Sequence, residues 1–341
     1  MRMSRWLCLA AGALAAAACG GPARAEEAAK PKEQPKVEYP QTTVATDALK
    51  LTIALPDAEK GFYRGTRFAW SGVILSAEFA GHRVFAPFRP YGDTTGHDNN
   101  IAGPAEEFDL EDPPPGYAEA KAGEPFVKIG VGVLVKPKED KYGFWNTYKF
   151  AQKPEWKVTQ EKDAIEFRQA VTSGEWGYVY TKRIALASGK PTFTIAYTLK
   201  NTGRKAIDTL QYCHNFTIID GRPIGPDYRI TFPFDVSKPL EARGNAEYKG
   251  REIVISKPLT DSIWAILRGP TDKAADNRVT IVNDQAGVIV RISGDQPFVQ
   301  MRFYAEKTAV CPEPFLRIKV APGEEKTWRS EYALLAPPVE S

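Results

Sequence analysis

Two-residue alternation of apolar and polar side chains runs through most of this sequence. In residues 191–201 (PTFTIAYTLKN), Phe193, Ile195, Tyr197 and Leu199 alternate with Thr194, Ala196 and Thr198. In residues 298–304, Val299, Met301 and Phe303 alternate with Gln300, Arg302 and Tyr304. A period of two sends successive side chains to opposite faces of a strand, one face buried and the other meeting water or a ligand. Helical periodicity never lasts beyond a turn or two. Further strands are expected at residues 50–54, 71–79, 126–135, 164–170, 176–187, 209–218, 278–282, 287–292, 316–320 and 327–334, parted by Gly, Pro, Asn and Asp. So many strands without helices must pack sheet on sheet or close on themselves. The expected fold is all-β, a large antiparallel sandwich.

The folded part does not begin at Met1. Residues 1–25 carry a basic start (Arg2, Arg5), an apolar Ala/Leu run and then small residues. That is the plan of a secretory signal peptide, and the run is too short for a permanent membrane helix. Two processing sites compete. Ala23-Arg24-Ala25 fits cleavage before Glu26, whereas Ala16-Ala17-Ala18-Cys19-Gly20 is laid out like a bacterial lipobox, with Ala16 where Leu is usual. In the second case a lipid on Cys19 would tether the protein to a membrane. Either way the expectation is export, to the periplasm or the outer-membrane and cell-envelope surface. Residues 26–40 (EEAAKPKEQPKVEYP) offer almost nothing to bury and are expected to be a disordered spacer. Residues 41–341 show no comparable break and no internal repeat, so they are expected to form one domain.

Charge excludes one class of partner. The chain has 45 Lys and Arg against 42 Asp and Glu. Three of the basic residues (Arg2, Arg5, Arg24) belong to the leader, so the mature part is neutral. Without a positive field there is no electrostatic case for nucleic acid. Only Cys213 and Cys311 lie inside the domain. Export permits a disulfide between them, and two buried thiols are the alternative. No Cys/His spacing matches a zinc site.

The acid–base inventory is short. Of the three histidines, His82 lies in a turn, Ala80-Gly81-His82-Arg83, and reads as a surface residue. His214 shares a strand face with Leu210, Tyr212, Phe216 and Ile218. It is either a core histidine or a histidine on an aromatic-lined face, where apolar walls set its pKa and Tyr212 helps to hold it. His97 falls in a polar loop, residues 94–100. Glu313 stands between Pro312 and Pro314, which fix φ and remove donors. The segment is therefore expected to be stiff and unable to pair as a central strand. Such a carboxylate is either a solvated turn acid or a preorganised base. In Glu106-Glu107, neighbours on a strand point to opposite sides, so at most one faces a given site. Trp70, Phe144, Trp145 and Trp176 are candidates to stack on sugar rings, and Arg67 and Arg302 to bond hydroxyls, against a core role for each.

Two stretches carry a family resemblance. Residues 193–216 (FTIAYTLKNTGRKAIDTLQYCHNF) and 309–328 (AVCPEPFLRIKVAPGEEKTW) resemble the galactose mutarotase-like superfamily of aldose 1-epimerases and their relatives. In the first, a strand, an Asn-Thr-Gly turn and a second strand lead to a His. In the second, a Glu precedes a strand and a Pro-Gly-Glu turn. The order of elements is similar over about residues 45 to 337. The resemblance implies His214 as the acid that protonates the ring oxygen. It likewise implies Glu313 as the base that takes the anomeric proton, in a reaction needing no metal or cofactor. By order, His97 stands nearest the family's first His, though its Asp/Asn-rich surroundings differ. The family's substrate-holding Asp, between the His and the Glu, has no clear counterpart, with Asp227 the candidate by order alone, and Glu107 would add a polar group the family lacks. An enzyme acting at or near the anomeric carbon is thus one expectation; a non-catalytic carbohydrate-binding sandwich, or an accessory to polysaccharide processing, is the other.

Overall fold

The computed structural model describes residues 38–89 and 93–336. The leader, Cys19 and nearly all of the spacer lie outside the described residues. Among those described, every regular element is a strand except one short 3-10 turn at Ala274–Asp276.

Two antiparallel sheets form the body. The larger has ten strands and is centred on Trp176–Leu186, Thr192–Asn201 and Glu325–Leu335. The smaller has six, in the order Glu241–Arg243, Ile263–Arg268, Gln300–Glu306, Ala309–Val320, Ile207–His214 and Ala105–Phe108. Their facing sides make one core. Phe193, Ile195, Tyr197 and Leu199 are buried, as the alternation requires, together with Cys213, Phe303, Ala305 and Ile318 of the smaller sheet. Each such aromatic or branched side chain contributes roughly 1.5–3 kcal/mol by leaving water. A four-stranded sheet (Gln41–Ala45, Lys50–Ala54, Val73–Phe79, His82–Val84) and a three-stranded one (Pro125–Lys128, Gly132–Val135, Lys149–Phe150) complete the described structure. This is the sandwich the alternation called for.

Local expectations fail at three places. Residues 126–135 are not one strand but a hairpin, Pro125–Lys128 against Gly132–Val135. Gly130 takes φ 76°, and a Cβ there would sit 2.5 Å from that of Ala69. The strand expected at 209–218 ends at His214, before Phe216 takes φ 32°. The third is the proline segment, which does pair as a central strand: Ala309–Val320 runs through Pro312 and Pro314, between two neighbours. Its ladder to Gln300–Glu306 is continuous, with Phe303 opposite Pro312 and Met301 opposite Pro314. The ladder to the histidine strand stops after Gln211 and Leu316 and is resumed by a Thr217–Val310 bridge. The missing N–H groups therefore face the one stretch where no ladder bond is made.

Candidate functional site

That interrupted ladder keeps its register. The pairing from Ile207 opposite Val320 to Gln211 opposite Leu316 returns in step at Thr217 opposite Val310. His214 and Glu313 are consequently cross-strand partners, with side chains on the same face. The next strand extends the row, because Arg302 is the register partner of Glu313. Parallel rows flank it. On one side Tyr212 lies beside Phe315, their rings stacked 4.4 Å apart. On the other stand Phe216, Cys311, Tyr304 and Trp264, the last two register partners. All lie on the sheet face away from the sandwich core, and His214, Glu313, Arg302, Tyr212, Phe216, Tyr304 and Trp264 line a cavity of about 410 Å³ there, with Phe315 and Cys311 packed beneath. Loops close it with His97, Asp98 and Phe88 on one side and Glu111 and Phe144 on the other.

Side-chain amide bonds replace the lost ladder. Asn215 Nδ2 donates to the Pro312 carbonyl at 2.5 Å and to Cys213 O at 3.3 Å, while its Oδ1 accepts from Tyr332 OH at 2.8 Å. Tyr332 belongs to the larger sheet and is fully buried. Asn215 thus joins both strands of the His214–Glu313 pair to the opposite sheet. Asn215→Leu leaves these buried groups unpartnered, and a loss of about 1–3 kcal/mol is expected in urea denaturation. Stability equal to wild type would refute the role.

The electrostatics of the pair are set by burial. His214 Nε2 lies 3.2 Å from Glu313 Oε1, with both side chains nearly sealed. The His214 ring stacks on Phe216 at 3.9 Å, and its Nδ1 has no partner. Burial, reinforced by Arg67 and Arg89, holds the imidazole well below its ordinary range. Burial pushes Glu313 up to about 8, against the lowering pull of Arg67 and Arg302. The uncharged forms win, so near neutral pH one proton lies between the two groups, on the carboxyl side.

Arg67 is fixed from behind. Its Nε donates to Glu107 Oε2 at 2.7 Å and one terminal nitrogen to Tyr212 OH at 3.0 Å. Tyr212 donates to the same carboxylate oxygen at 2.5 Å. Glu107 itself is sealed beneath the cavity. Glu106 points the other way, into the sandwich, where it meets Lys182. The opposite orientations expected of the adjacent acids are what the strand produces.

Of the residues singled out in the sequence, His214, Glu313, Arg67, His97, Tyr212 and Arg302 line one cavity, and Glu107 holds Arg67 there. Asp227 does not. It is exposed in a turn leading into Tyr228–Thr231 of the larger sheet, where its backbone pairs with Asp284. Among the aromatics, Phe144 lines the cavity. Trp70 is core, Trp176 borders a different groove, and Trp145 is 57% exposed. Trp264, Tyr304, Phe88, Asp98 and Glu111 were not foreseen. Tyr304 had a signal, since it alternates on the Arg302 face; the loop residues had none. Cys213 and Cys311 are free, one facing the core near Tyr197 and the other on the cavity face of the sheet. Among the described residues no cluster of His, Cys, Asp and Glu is placed to hold a metal ion.

No family model matches the sequence. No curated protein matches it either. Solved structures do. Slr1438 of Synechocystis sp. PCC 6803 superposes with a TM-score of 0.57 at 10% identity, over 88% of this chain and 97% of that one. A galactose mutarotase-related enzyme of Lactobacillus acidophilus gives 0.51 at 12% identity, over 87% and 97%. A galactose mutarotase-like protein of Lactobacillus casei gives 0.50 at 14% identity, over 86% and 100%. The likeness spans nearly the whole length on both sides, so the chain has the galactose mutarotase-like sandwich fold.

Proposed function

We propose that the domain binds a monosaccharide-sized carbohydrate in the 410 Å³ cavity and interconverts its anomers by general acid–base catalysis. The observation that carries this reading is the in-register pairing of His214 with Glu313 at the cavity wall. The ring oxygen and the anomeric hydroxyl share one carbon, so a base and an acid 3.2 Å apart can each serve one of them. Glu313 takes the hydroxyl proton as His214 gives one to the ring oxygen; the C–O ring bond opens, the aldehyde turns, and both transfers reverse on closure. The pair carries one proton throughout. In the free protein it rests on Glu313 and crosses to His214 when the closed-ring sugar binds; the ring-opening step returns it to the Glu313 side. Arg67, Arg302 and His97 supply hydroxyl contacts, and Trp264 and Phe144 apolar faces. Export, with cleavage before Glu26 or lipid attachment at Cys19, is part of the proposal and rests on the leader alone.

Two-dimensional exchange NMR on free hexoses and sugar acids tests it: cross-peaks between anomers should grow faster with protein than without. The pH profile separates mechanisms. If the pair works with its single proton, kcat/KM is flat around neutrality and falls as pH rises through about 8, where Glu313 loses that proton. A rate that instead climbs through this range would mean a lone carboxylate base and would refute the paired mechanism. A carbohydrate-binding role without turnover is the second reading, favoured by the proton that burial keeps on Glu313. It predicts saturable sugar binding with no gain in exchange.

A further inference from the structure

The two arginines in the cavity are matched in different ways. Arg67 has a buried partner: Glu107, with no exposed side-chain surface, meets its Nε at 2.7 Å. Arg302 has none of that kind. Its side chain is 8% exposed, with the guanidinium 4.3 Å above the Phe315 ring and Nε turned to Gln300. The acid that meets it is Glu111, which is 53% exposed and comes from the loop after Ala105–Phe108. Glu313, its neighbour in the row, turns its carboxyl to His214 Nε2 and makes no ion pair with Arg302. A guanidinium taken out of water needs a counter-ion, and here that ion is an exposed loop carboxylate reaching in over the cavity.

We propose that Glu111 is a stand-in, and that the natural ligand is an acidic sugar whose own carboxylate takes its place on Arg302. This deepens the sugar-site reading and rests on it. A neutral sugar that displaced Glu111 would leave Arg302 uncompensated. A sugar carboxylate restores the charge-assisted contact and can form it two-pronged, since a guanidinium fork matches a carboxylate. The row His214, Glu313, Arg302 also sets that anion one strand from the acid–base pair, within the span of a single sugar residue. Two kinds of acidic sugar share this chemistry: hexuronic acids, with the carboxylate beyond the ring oxygen, and 2-keto sugar acids, with it on the anomeric carbon.

Isothermal titration of the mature protein with galactose, glucose, galacturonate, glucuronate and N-acetylneuraminate decides the matter. At least one acidic sugar is expected to bind about tenfold or more tightly than the neutral hexoses, the scale of one charge-assisted hydrogen bond. Which acid wins locates the carboxylate. Glu111→Gln should tighten the acidic sugar severalfold, because the competitor is gone, and weaken neutral hexoses or leave them alone. Arg302→Gln should erase the preference, while Arg302→Lys, which keeps the charge but loses the fork, should retain part of it. Neutral hexoses binding as well as every acid would overturn the inference and leave the sugar-site reading intact. An equal effect of Glu111→Gln on both ligand classes would overturn it too. Binding of none of the five sugars would sink both readings.

Discussion

Lys182→Met is expected to destabilise the protein by about 3–5 kcal/mol, the usual result of removing one partner from a buried ion pair. Lys182 stands in Trp176–Leu186 with no exposed side-chain surface, its Nζ 2.5 Å from Glu106 Oε1. It also donates to the carbonyls of Ser71 at 3.0 Å and Gly72 at 3.2 Å. Burial already raises the pKa of Glu106, and Lys182 is the main influence restraining it. Without the lysine, the acid must take up a proton to stay inside. Its folded pKa then lies further above the unfolded one. The sign follows: protonation supports the folded state at low pH, and that support is lost as pH rises from the unfolded value towards the raised folded one. The deficit of Lys182→Met should therefore be smaller near pH 5 than near pH 8 in urea titrations. The double variant Lys182→Met with Glu106→Leu should recover most of the loss. The consequence reaches the cavity, because Glu106 sits back to back with Glu107 on a four-residue strand, and Glu107 positions Arg67. A single variant as stable as wild type, or a deficit that ignores pH, would show that the pair does not anchor this strand.

The sandwich was legible because alternation is a local signal with a global consequence. Phe193, Ile195, Tyr197 and Leu199 had to be buried together, and they are. Breaks inside strands were less legible. Gly130 reads as a strand residue until its φ and the approach of Ala69 show it to be a turn. Pro312 and Pro314 read as breakers because a sequence does not tell which edge of a strand carries the missing N–H. Here both face the gap spanned by Asn215, so the prolines cost no ladder bond. The site was legible in part. His214 and Glu313 came from the order of segments, and Arg302 from the polar phase of its strand. Asp227 was placed by order alone, in a turn with no structural tie to the cavity. Glu111, Phe88 and Asp98 arrive on loops, whose closure over a sheet depends on tertiary packing and leaves no period to read.

Glu313→Gln is expected to slow anomer exchange by about a hundredfold to ten-thousandfold, the range for removing a positioned acid–base group. Glutamine has nearly the shape of the acid, and its amide can still donate to His214 Nε2 across the 3.2 Å contact. What it cannot do is accept and return a proton. Stability separates this loss from unfolding. Burial raises Glu313 from the ordinary 4.5 to about 8, so the wild-type fold is favoured while the acid keeps its proton. That advantage fades as pH climbs through this window, where the unfolded chain ionises and the folded one does not. Glutamine has no such dependence. At pH 8 and above the variant should therefore denature no earlier than wild type, while its exchange rate has collapsed. Sugar binding by titration should persist, because the ring's other contacts to Arg67, Arg302 and Trp264 are untouched. Exchange at the wild-type rate in a well-folded Glu313→Gln protein would remove the carboxylate from the chemistry, and with it the case for an enzyme built on this row of the sheet.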